Sequence, residues 1–121
     1  MKCVVADDSK VIRLVIAKIM QSLGFEVYEA EDGEAVMDLY LKGDDIGLII
    51  MDHNLPLLEG IDVLRVIRQQ EHVIQPSIIL MTSVFDSYKL EEALESGADD
   101  FIIKPFDEDI LSSKLEILGL I

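Results

Sequence analysis

Five short, mostly apolar segments alternate along the chain with longer segments whose apolar residues recur at helical spacing. The pattern predicts strands at residues 3–6, 26–30, 47–51, 77–81 and 101–103. It predicts helices at residues 10–23, 34–42, 61–70, 87–96 and from 108 towards the C-terminus, with Ser9 and Asp107 as N-caps and Gly24 and Gly43 closing the first two. Such regular alternation predicts an α/β protein with one parallel, doubly wound sheet that carries helices on both faces.

The overall composition predicts a single folded domain over residues 1–121 and disfavours several kinds of partner. Half of the residues are hydrophobic, and 24 Asp and Glu against 10 Lys and Arg give a formal net charge of −14. Binding of nucleic acid or of anionic membranes requires clustered basic side chains, so we expect neither. There is no run of membrane-spanning length, and the single cysteine, Cys3, excludes an internal disulfide, so we expect a cytoplasmic protein.

Charged and hydroxyl side chains follow the predicted strands at the points where the strands end. They are Asp7, Asp8, Asp52, Thr82 and Lys104. The carboxyl ends of parallel strands meet at one edge of the sheet, where α/β proteins bind ligands. Two carboxylates about 4 Å apart repel by roughly 4 kcal/mol at an effective dielectric of about 20, so this cluster needs a proton, a lysine or a metal ion. Lys104 supplies one positive charge, and Mg²⁺ suits a site of carboxylates, water and a phosphate.

An acidic edge with a divalent cation suits phosphoryl chemistry. A carboxylate there can attack a phosphoryl group and form an aspartyl-phosphate. The cation and Lys104 would offset the charge on the phosphoryl oxygens, while Thr82 would donate a hydrogen bond and the small Ser83 would leave room. Other ligands suit an acidic edge too, and the same carboxylates also suit helix caps and turns.

Four motifs in register identify a resemblance that covers the whole chain. They are the segments 4–9 (VVADDS), 51–56 (MDHNLP) with Gly60, 81–83 (MTS) and 97–106 (GADDFIIKPF). Asp8 precedes Asp52 by 44 residues, Asp52 precedes Thr82 by 30, and Thr82 precedes Lys104 by 22. The chain thus resembles the receiver domains of two-component response regulators. The resemblance implies a CheY-like, flavodoxin-like (βα)5 fold with five parallel strands in the order 2-1-3-4-5.

The resemblance also implies a phosphoacceptor site. Asp52 would take a phosphoryl group from a phosphohistidine on a sensor histidine kinase or a histidine phosphotransfer protein. Mg²⁺, with Mn²⁺ as a substitute, would be held by Asp8, by Asp52, by the backbone carbonyl of Asn54 and, largely through water, by Asp7. Lys104 would pair with the phosphate.

The same resemblance implies a conformational switch. Thr82 would move towards the phosphate, and the ring of Phe101 would turn into the space it leaves. That movement would reshape the face of helix 4, strand 5 and helix 5, where a downstream protein binds. Phe101 replaces a frequent tyrosine, so this ring must switch by packing alone. A chemotaxis-like stand-alone regulator, monomeric or weakly dimeric, fits this description, and the bond from Lys104 to Pro105 would be cis.

Other functions remain as alternatives. One is a receiver-like interaction module that works without phosphorylation. A turnover phosphatase is disfavoured, because Asn54 lies where such enzymes carry an acidic proton donor, and slow autodephosphorylation is expected instead. A flavin protein is disfavoured because Asp7 and Asp8 lie where a flavin phosphate needs neutral donors.

Several further residues carry expectations. We expect His53 to be a solvated or partner-contacting loop histidine, His72 to lie in a loop, and Cys3 to be a small buried apolar residue. We expect the apolar stripes of the helices to lie in the core. For the basic residues of the first helix, solvation and docking of a kinase or phosphatase remain equal alternatives; these residues are Lys10, Arg13 and Lys18.

Overall fold

The computed structural model describes residues 1–42, 45–70 and 74–121. The strands are β1 (Lys2–Ala6), β2 (Glu26–Ala30), β3 (Ile46–Asp52), β4 (Ser77–Ser83) and β5 (Asp100–Lys104). The helices are α1 (Lys10–Ser22), α2 (Gly33–Leu41), α3 (Gly60–Arg68), α4 (Leu90–Glu95) and α5 (Glu108–Ile117), with a 3₁₀ helix at Val84–Lys89. The predicted C-cap Gly43 and the loop residue His72 lie outside the described residues.

The strands form one parallel sheet in the order β2-β1-β3-β4-β5, which confirms the predicted fold class. β1 and β3 lie at its centre, and Ala6 is paired with Met51. Asp52 is paired with Met81, and Ser83 with Lys104. This register brings the carboxyl ends of β1, β3, β4 and β5 to one edge, as the pattern predicts.

The core has two layers because successive strand residues point to opposite faces of the sheet. On one face, Val4 and Ile49 pack with buried residues of α2, α3 and α4. On the other face, Cys3 and Ile50 pack with buried residues of α1 and α5. Cys3 is fully buried, as predicted, and burial raises the pKa of its thiol to about 12.

The predicted N-caps are confirmed. The side chain of Ser9 accepts from the N–H of Ile12 at 3.4 Å, and that of Asp107 accepts from Ile110 at 2.9 Å. These bonds satisfy N–H groups that the first turn of a helix leaves without partners. The bond between Lys104 and Pro105 is cis, as the resemblance implies.

The helix predicted at 87–96 is wrong at its start. Residues 84–89 form the 3₁₀ helix, and α4 begins only at Leu90. The hydroxyl of Ser83 donates to Asp86 at 3.1 Å, which supports a tight turn, whereas Lys89 at the start of α4 makes no side-chain capping bond. The chain therefore tightens into a 3₁₀ turn before the α-helix forms.

The assignment of the α1 stripe to the core is also wrong for its first half. Val11, Ile12, Leu14 and Val15 are exposed, and the buried residues of α1 begin at Ile16. Periodicity shows that a helix has an apolar face but not how much of that face the sheet covers. The uncovered part borders an apolar groove of about 310 Å³ whose far wall includes Pro105 and Phe106. No helix among the described residues is long and apolar enough to cross a membrane.

Candidate functional site

Asp52 is the last residue of β3, and its side chain is 9% exposed. Its Oδ1 accepts the backbone N–H of Asn54 at 2.8 Å. Its Oδ2 contacts Nζ of Lys104. One carboxylate oxygen is therefore fixed by the backbone, and the other faces a cation.

Asp7 follows β1 and is 1% exposed. Its Oδ1 accepts the N–H of Ser9 at 2.9 Å, and its Oδ2 accepts from Nζ of Lys104 at 2.9 Å. Arg13 donates to the backbone carbonyl of Asp7 at 2.7 Å and pairs with Glu29 at 3.0 Å. The buried Asp7 carboxylate therefore has a defined orientation, because each of its oxygens accepts a hydrogen bond, one from Ser9 and one from Lys104.

Lys104, at the end of β5, joins Asp7 to Asp52. Burial lowers the pKa of this ammonium, but hydrogen bonds and charge attraction from Asp52 and Asp7 outweigh it, so the net pKa is raised. One ammonium between two buried carboxylates leaves the cluster with one uncompensated negative charge. The cluster thus attracts a further positive charge, such as a metal cation.

Asp8 and Asn54 occupy different surroundings from Asp7 and Asp52. Both are exposed, and in the part of the chain that the structure describes the ammonium of Lys104 bonds to Asp7 and Asp52 but not to Asp8. Within residues 1–42, 45–70 and 74–121, no three acidic, histidine or cysteine side chains gather closely enough to bind a metal ion. The predicted cation site therefore consists of the buried carboxylates of Asp7 and Asp52 and the exposed carboxylate of Asp8, which follows Asp7 in the sequence.

Thr82 and Phe101 lie on the same face of neighbouring strands. Thr82 is paired with Ile103, two residues beyond Phe101, so the two side chains point the same way. Thr82 is buried, and its hydroxyl donates to the carbonyl of Ser83 at 3.4 Å, a long and weak bond. Nζ of Lys114 lies 4.8 Å from the centre of the Phe101 ring, within cation–π range.

His53 was misjudged from the sequence. The expectation of a solvated loop histidine is wrong, because the side chain is 13% exposed and its Nδ1 lies 3.1 Å from the carbonyl of Met81. Its Nε2 lies 3.5 Å from Asp86. No local signal could have revealed these contacts, since they depend on how β3 pairs with β4. Arg13 was likewise expected on a solvated or docking face and instead supports the backbone of Asp7.

Comparison with known proteins agrees with this geometry. The family described as response regulator receiver domain matches residues 3–116. A chemotaxis protein CheY homolog of Campylobacter jejuni is 34% identical over 121 residues, with 98% of this chain and 93% of the relative covered. Chemotaxis protein CheY1 of Helicobacter pylori is 32% identical over 119 residues, with 98% and 96% covered. The structure of the chemotaxis response regulator CheY4 of Vibrio cholerae superposes with a TM-score of 0.88 at 28% identity, with 97% of each chain covered.

An α/β protein with the strand order 2-1-3-4-5 and buried acidic residues joined by a lysine at one edge is a receiver-type signalling domain. The chain belongs to the response regulator receiver domain family, and within that family it is CheY-like. Proteins of this kind are signalling proteins and not turnover enzymes of the usual sort.

Proposed function

We propose that Asp52 accepts a phosphoryl group from a phosphohistidine on a sensor histidine kinase or a histidine phosphotransfer protein. The observation that carries this proposal is the contact of Asp52 Oδ2 with Lys104, whose ammonium is shared with the buried Asp7. A carboxylate oxygen beside a cation is a nucleophile placed where the oxygens of the incoming phosphoryl group will need positive charge.

The transfer uses the two oxygens of Asp52 differently. The N–H of Asn54 holds Oδ1, which leaves Oδ2 to attack phosphorus. The Oδ2–P bond forms as the N–P bond of the donor breaks, and the donor imidazole leaves with the electron pair and takes up a proton. Lys104 then pairs with the phosphoryl oxygens, an ion pair that replaces its contact with the carboxylate.

The donor set suits Mg²⁺, with Mn²⁺ as a substitute. All candidate ligands are oxygens, which hard cations prefer, and the Asp7–Asp52–Lys104 cluster keeps a net negative charge. The residues that would hold the ion are Asp7, Asp8, Asp52 and the backbone carbonyl of Asn54. When bound, the ion supplies positive charge against the phosphoryl oxygens.

Phosphorylation would be read out through Thr82 and Phe101. The weak bond of Thr82 to Ser83 is readily exchanged for a bond to a phosphoryl oxygen. Phe101 would turn into the vacated space and change the face of α4, β5 and α5, to which a downstream protein binds. Moving such an equilibrium from 1:99 to 99:1 needs about 5.5 kcal/mol of differential stabilisation. The names of the relatives, which are chemotaxis proteins, support a role as a chemotaxis-like regulator.

For the start of α1, the exposed apolar residues favour docking of the phosphodonor over a face that only contacts solvent. Val11 and Val15 are exposed and line the groove that also includes Lys104. An exposed apolar surface next to Lys104 suits an apolar partner surface that brings the phosphohistidine to Asp52.

Intact mass spectrometry tests the acceptor. Incubation with acetyl phosphate and Mg²⁺ should add one phosphoryl group to the wild type and none to Asp52→Asn. The control Asp109→Asn removes the same charge from an exposed position on α5 and should be phosphorylated like the wild type. Absence of the adduct on the wild type would overturn the proposal. Equal affinity of a partner for the wild type and for Asp52→Asn would indicate a phosphorylation-independent module instead.

A further inference from the structure

The ring of Phe101 lies against an ammonium group of α5. Nζ of Lys114 is 4.8 Å from the ring centre, which is within the range of a cation–π contact. The same Nζ donates to Oδ1 of Asp100 at 3.1 Å, and the side chain of Lys114 is 26% exposed. The ammonium is therefore held at the ring by a second contact, and its partial burial strengthens the attraction to the ring.

Asp100 fixes this ammonium relative to the backbone of β5. Its Oδ1 accepts the backbone N–H of Phe101 at 2.8 Å as well as the ammonium of Lys114. A carboxylate oxygen has two lone pairs and can accept both bonds. The backbone of Phe101, the carboxylate of Asp100, the ammonium of Lys114 and the ring of Phe101 thus form a closed chain of contacts, which gives the ring a defined position.

The contact between the ammonium and the ring lies at the open edge of the sheet. In the part of the chain that the structure describes, β5 is an edge strand that pairs with β4. Ile102 packs on the same face of the sheet as α5, so its neighbour Phe101 points to the opposite face, and Lys114 meets the ring around the uncovered edge of β5. Thr82 lies on β4, on the other side of β5 from that edge. A ring that turns towards Thr82 therefore moves away from Lys114.

We infer that Lys114 is a positioning residue that holds the ring of Phe101 in its unphosphorylated orientation and so opposes its turn towards Thr82. Phenylalanine has no hydroxyl group through which a hydrogen bond could fix the ring, which leaves this role to the ammonium. The inference rests on the proposed function for its effect on switching, whereas the contact itself exists in the unphosphorylated protein. A ligand that favours the turned ring must break the contact, so removing the ammonium should tighten the binding of that ligand.

A set of variants separates the charge of Lys114 from its other contacts. Lys114→Gln removes the charge but can still donate to Asp100, whereas Lys114→Arg keeps both the charge and the donors. Lys42→Gln is the charge-matched control, because it removes one positive charge from an exposed residue at the end of α2. Phe101→Leu removes the ring and keeps an apolar side chain.

NMR measures the orientation of the ring without any phosphodonor. Three-bond couplings from Cγ of Phe101 to the backbone nitrogen and carbonyl carbon give the populations of its χ1 rotamers, and the signal is identified by its loss in Phe101→Leu. Lys114→Gln should raise the population of the other rotamers relative to the present one by about two- to fivefold, the range expected for a partly exposed cation–π contact. Lys114→Arg and Lys42→Gln should keep the wild-type populations.

Beryllofluoride with Mg²⁺ probes the coupling to the acceptor site, because it binds a carboxylate oxygen as a phosphoryl group would. Its dissociation constant, measured from amide NMR signals, should fall by about two- to fivefold in Lys114→Gln and stay at the wild-type value in Lys114→Arg. Loss of a positive charge alone would weaken the binding of an anion, and Lys42→Gln measures that opposite effect. In the Phe101→Leu background, Lys114→Gln should no longer tighten binding, because the contact is already absent.

Equal rotamer populations in Lys114→Gln and the wild type, or an equal change in Lys42→Gln or Lys114→Arg, would overturn the positioning role. Changed populations without tighter binding of beryllofluoride, or tighter binding that persists in Phe101→Leu, would overturn its coupling to the acceptor site. If the wild type binds no beryllofluoride, the proposed function and the coupling both fail, whereas the rotamer populations still decide whether Lys114 holds the ring.

Discussion

The connection from β3 to α3 and the 3₁₀ helix after β4 both border Asp52, but they are held in different ways. In the first, the N–H of His53 donates to β4 and the N–H of Gly60 donates to the carbonyl of His53, each at 3.0 Å. In the second, the named contacts are between side chains, from Ser83 to Asp86 at 3.1 Å and from Asp86 to His53 at 3.5 Å. The group proposed to receive a phosphoryl group is thus fixed by backbone bonds, whereas Asp86 in the 3₁₀ helix is held by bonds between side chains, which are more easily exchanged.

The largest expected effect comes from adding one methyl group to the first connection. A Cβ at Gly60 would lie 2.5 Å from the carbonyl oxygen of Asp52 and 2.9 Å from Cα of His53, both backbone atoms. Gly60→Ala should lower the free energy of unfolding by about 3 kcal/mol, because the backbone at Asp52 must shift. Phe85→Ala in the 3₁₀ helix should change it by less than about 0.5 kcal/mol.

Urea unfolding monitored by circular dichroism measures both variants. Similar losses for Gly60→Ala and Phe85→Ala would show that the two segments do not differ in rigidity, and the comparison would fail. A loss confined to Gly60→Ala with an unchanged m-value would support it.

Removing the Lys104 ammonium should have the next largest effect. Lys104→Met leaves the carboxylates of Asp7 and Asp52 buried without a cation, which should cost about 2–3 kcal/mol in the presence of EDTA. Asp7→Asn in the same background should recover part of this loss. The pKa of Lys104 is raised in the folded protein, so its stabilisation is full below its ordinary pKa of 10.5 and is lost as pH rises through the folded-state value. Urea midpoints that fall equally in wild type and Lys104→Met above that pH would contradict this assignment.

The sequence predicts correctly those side-chain positions that depend only on where a residue lies in its strand. Asp7, Asp52 and Lys104 each follow or end a strand, so the parallel order alone brings them to one edge. It failed where the outcome depended on packing between distant segments. The contact of His53 with Asp86 needs the pairing of β3 with β4.

The extent to which α1 is buried was also predicted wrongly, for the same reason. Val11 matches the apolar period of the helix, but the sheet covers only the stripe that begins at Ile16. A period predicts the direction of an apolar face, whereas the width of the covered area depends on the sheet edge and on the neighbouring Phe106. The sequence did not predict the 3₁₀ helix, because no capping side chain marks the boundary between it and α4 at Lys89.

Mg²⁺ should raise the free energy of unfolding by less than the loss expected for Lys104→Met. At about ten times its dissociation constant, a ligand that binds only the folded protein adds about 1.4 kcal/mol, or roughly 5 °C in Tm for a domain of this size. The increase should be absent in Asp52→Asn and should persist in the charge-matched Asp109→Asn. Asp8→Asn decides whether that exposed carboxylate is a ligand, since an unchanged Mg²⁺ response there would remove Asp8 from the proposed set. Potassium chloride at equal ionic strength controls for charge screening.

The smallest expected effect concerns backbone strain at Leu57, which lies in the connection from β3 to α3. Leu57 has a φ of +67°, and the N–H of Leu58 donates to the carbonyl of Pro56 at 2.7 Å, which closes a tight three-residue turn around it. A leucine at positive φ costs about 1 kcal/mol, whereas asparagine is several-fold enriched at positive φ. Because Leu57 is 73% exposed, Leu57→Asn loses little burial and should raise the free energy of unfolding by about 0.5–1 kcal/mol.

Val11→Asn is the matched control, because Val11 is also 73% exposed but lies in the regular helix α1. Valine and asparagine have similar helix propensities, so this change should be close to neutral. A shift of the urea midpoint to higher concentration in Leu57→Asn alone would show that the connection forces Leu57 into a disfavoured conformation. Equal midpoints for the two variants would mean that the turn relaxes around Leu57, and the connection from β3 to α3 would then be softer than its backbone bonds indicate.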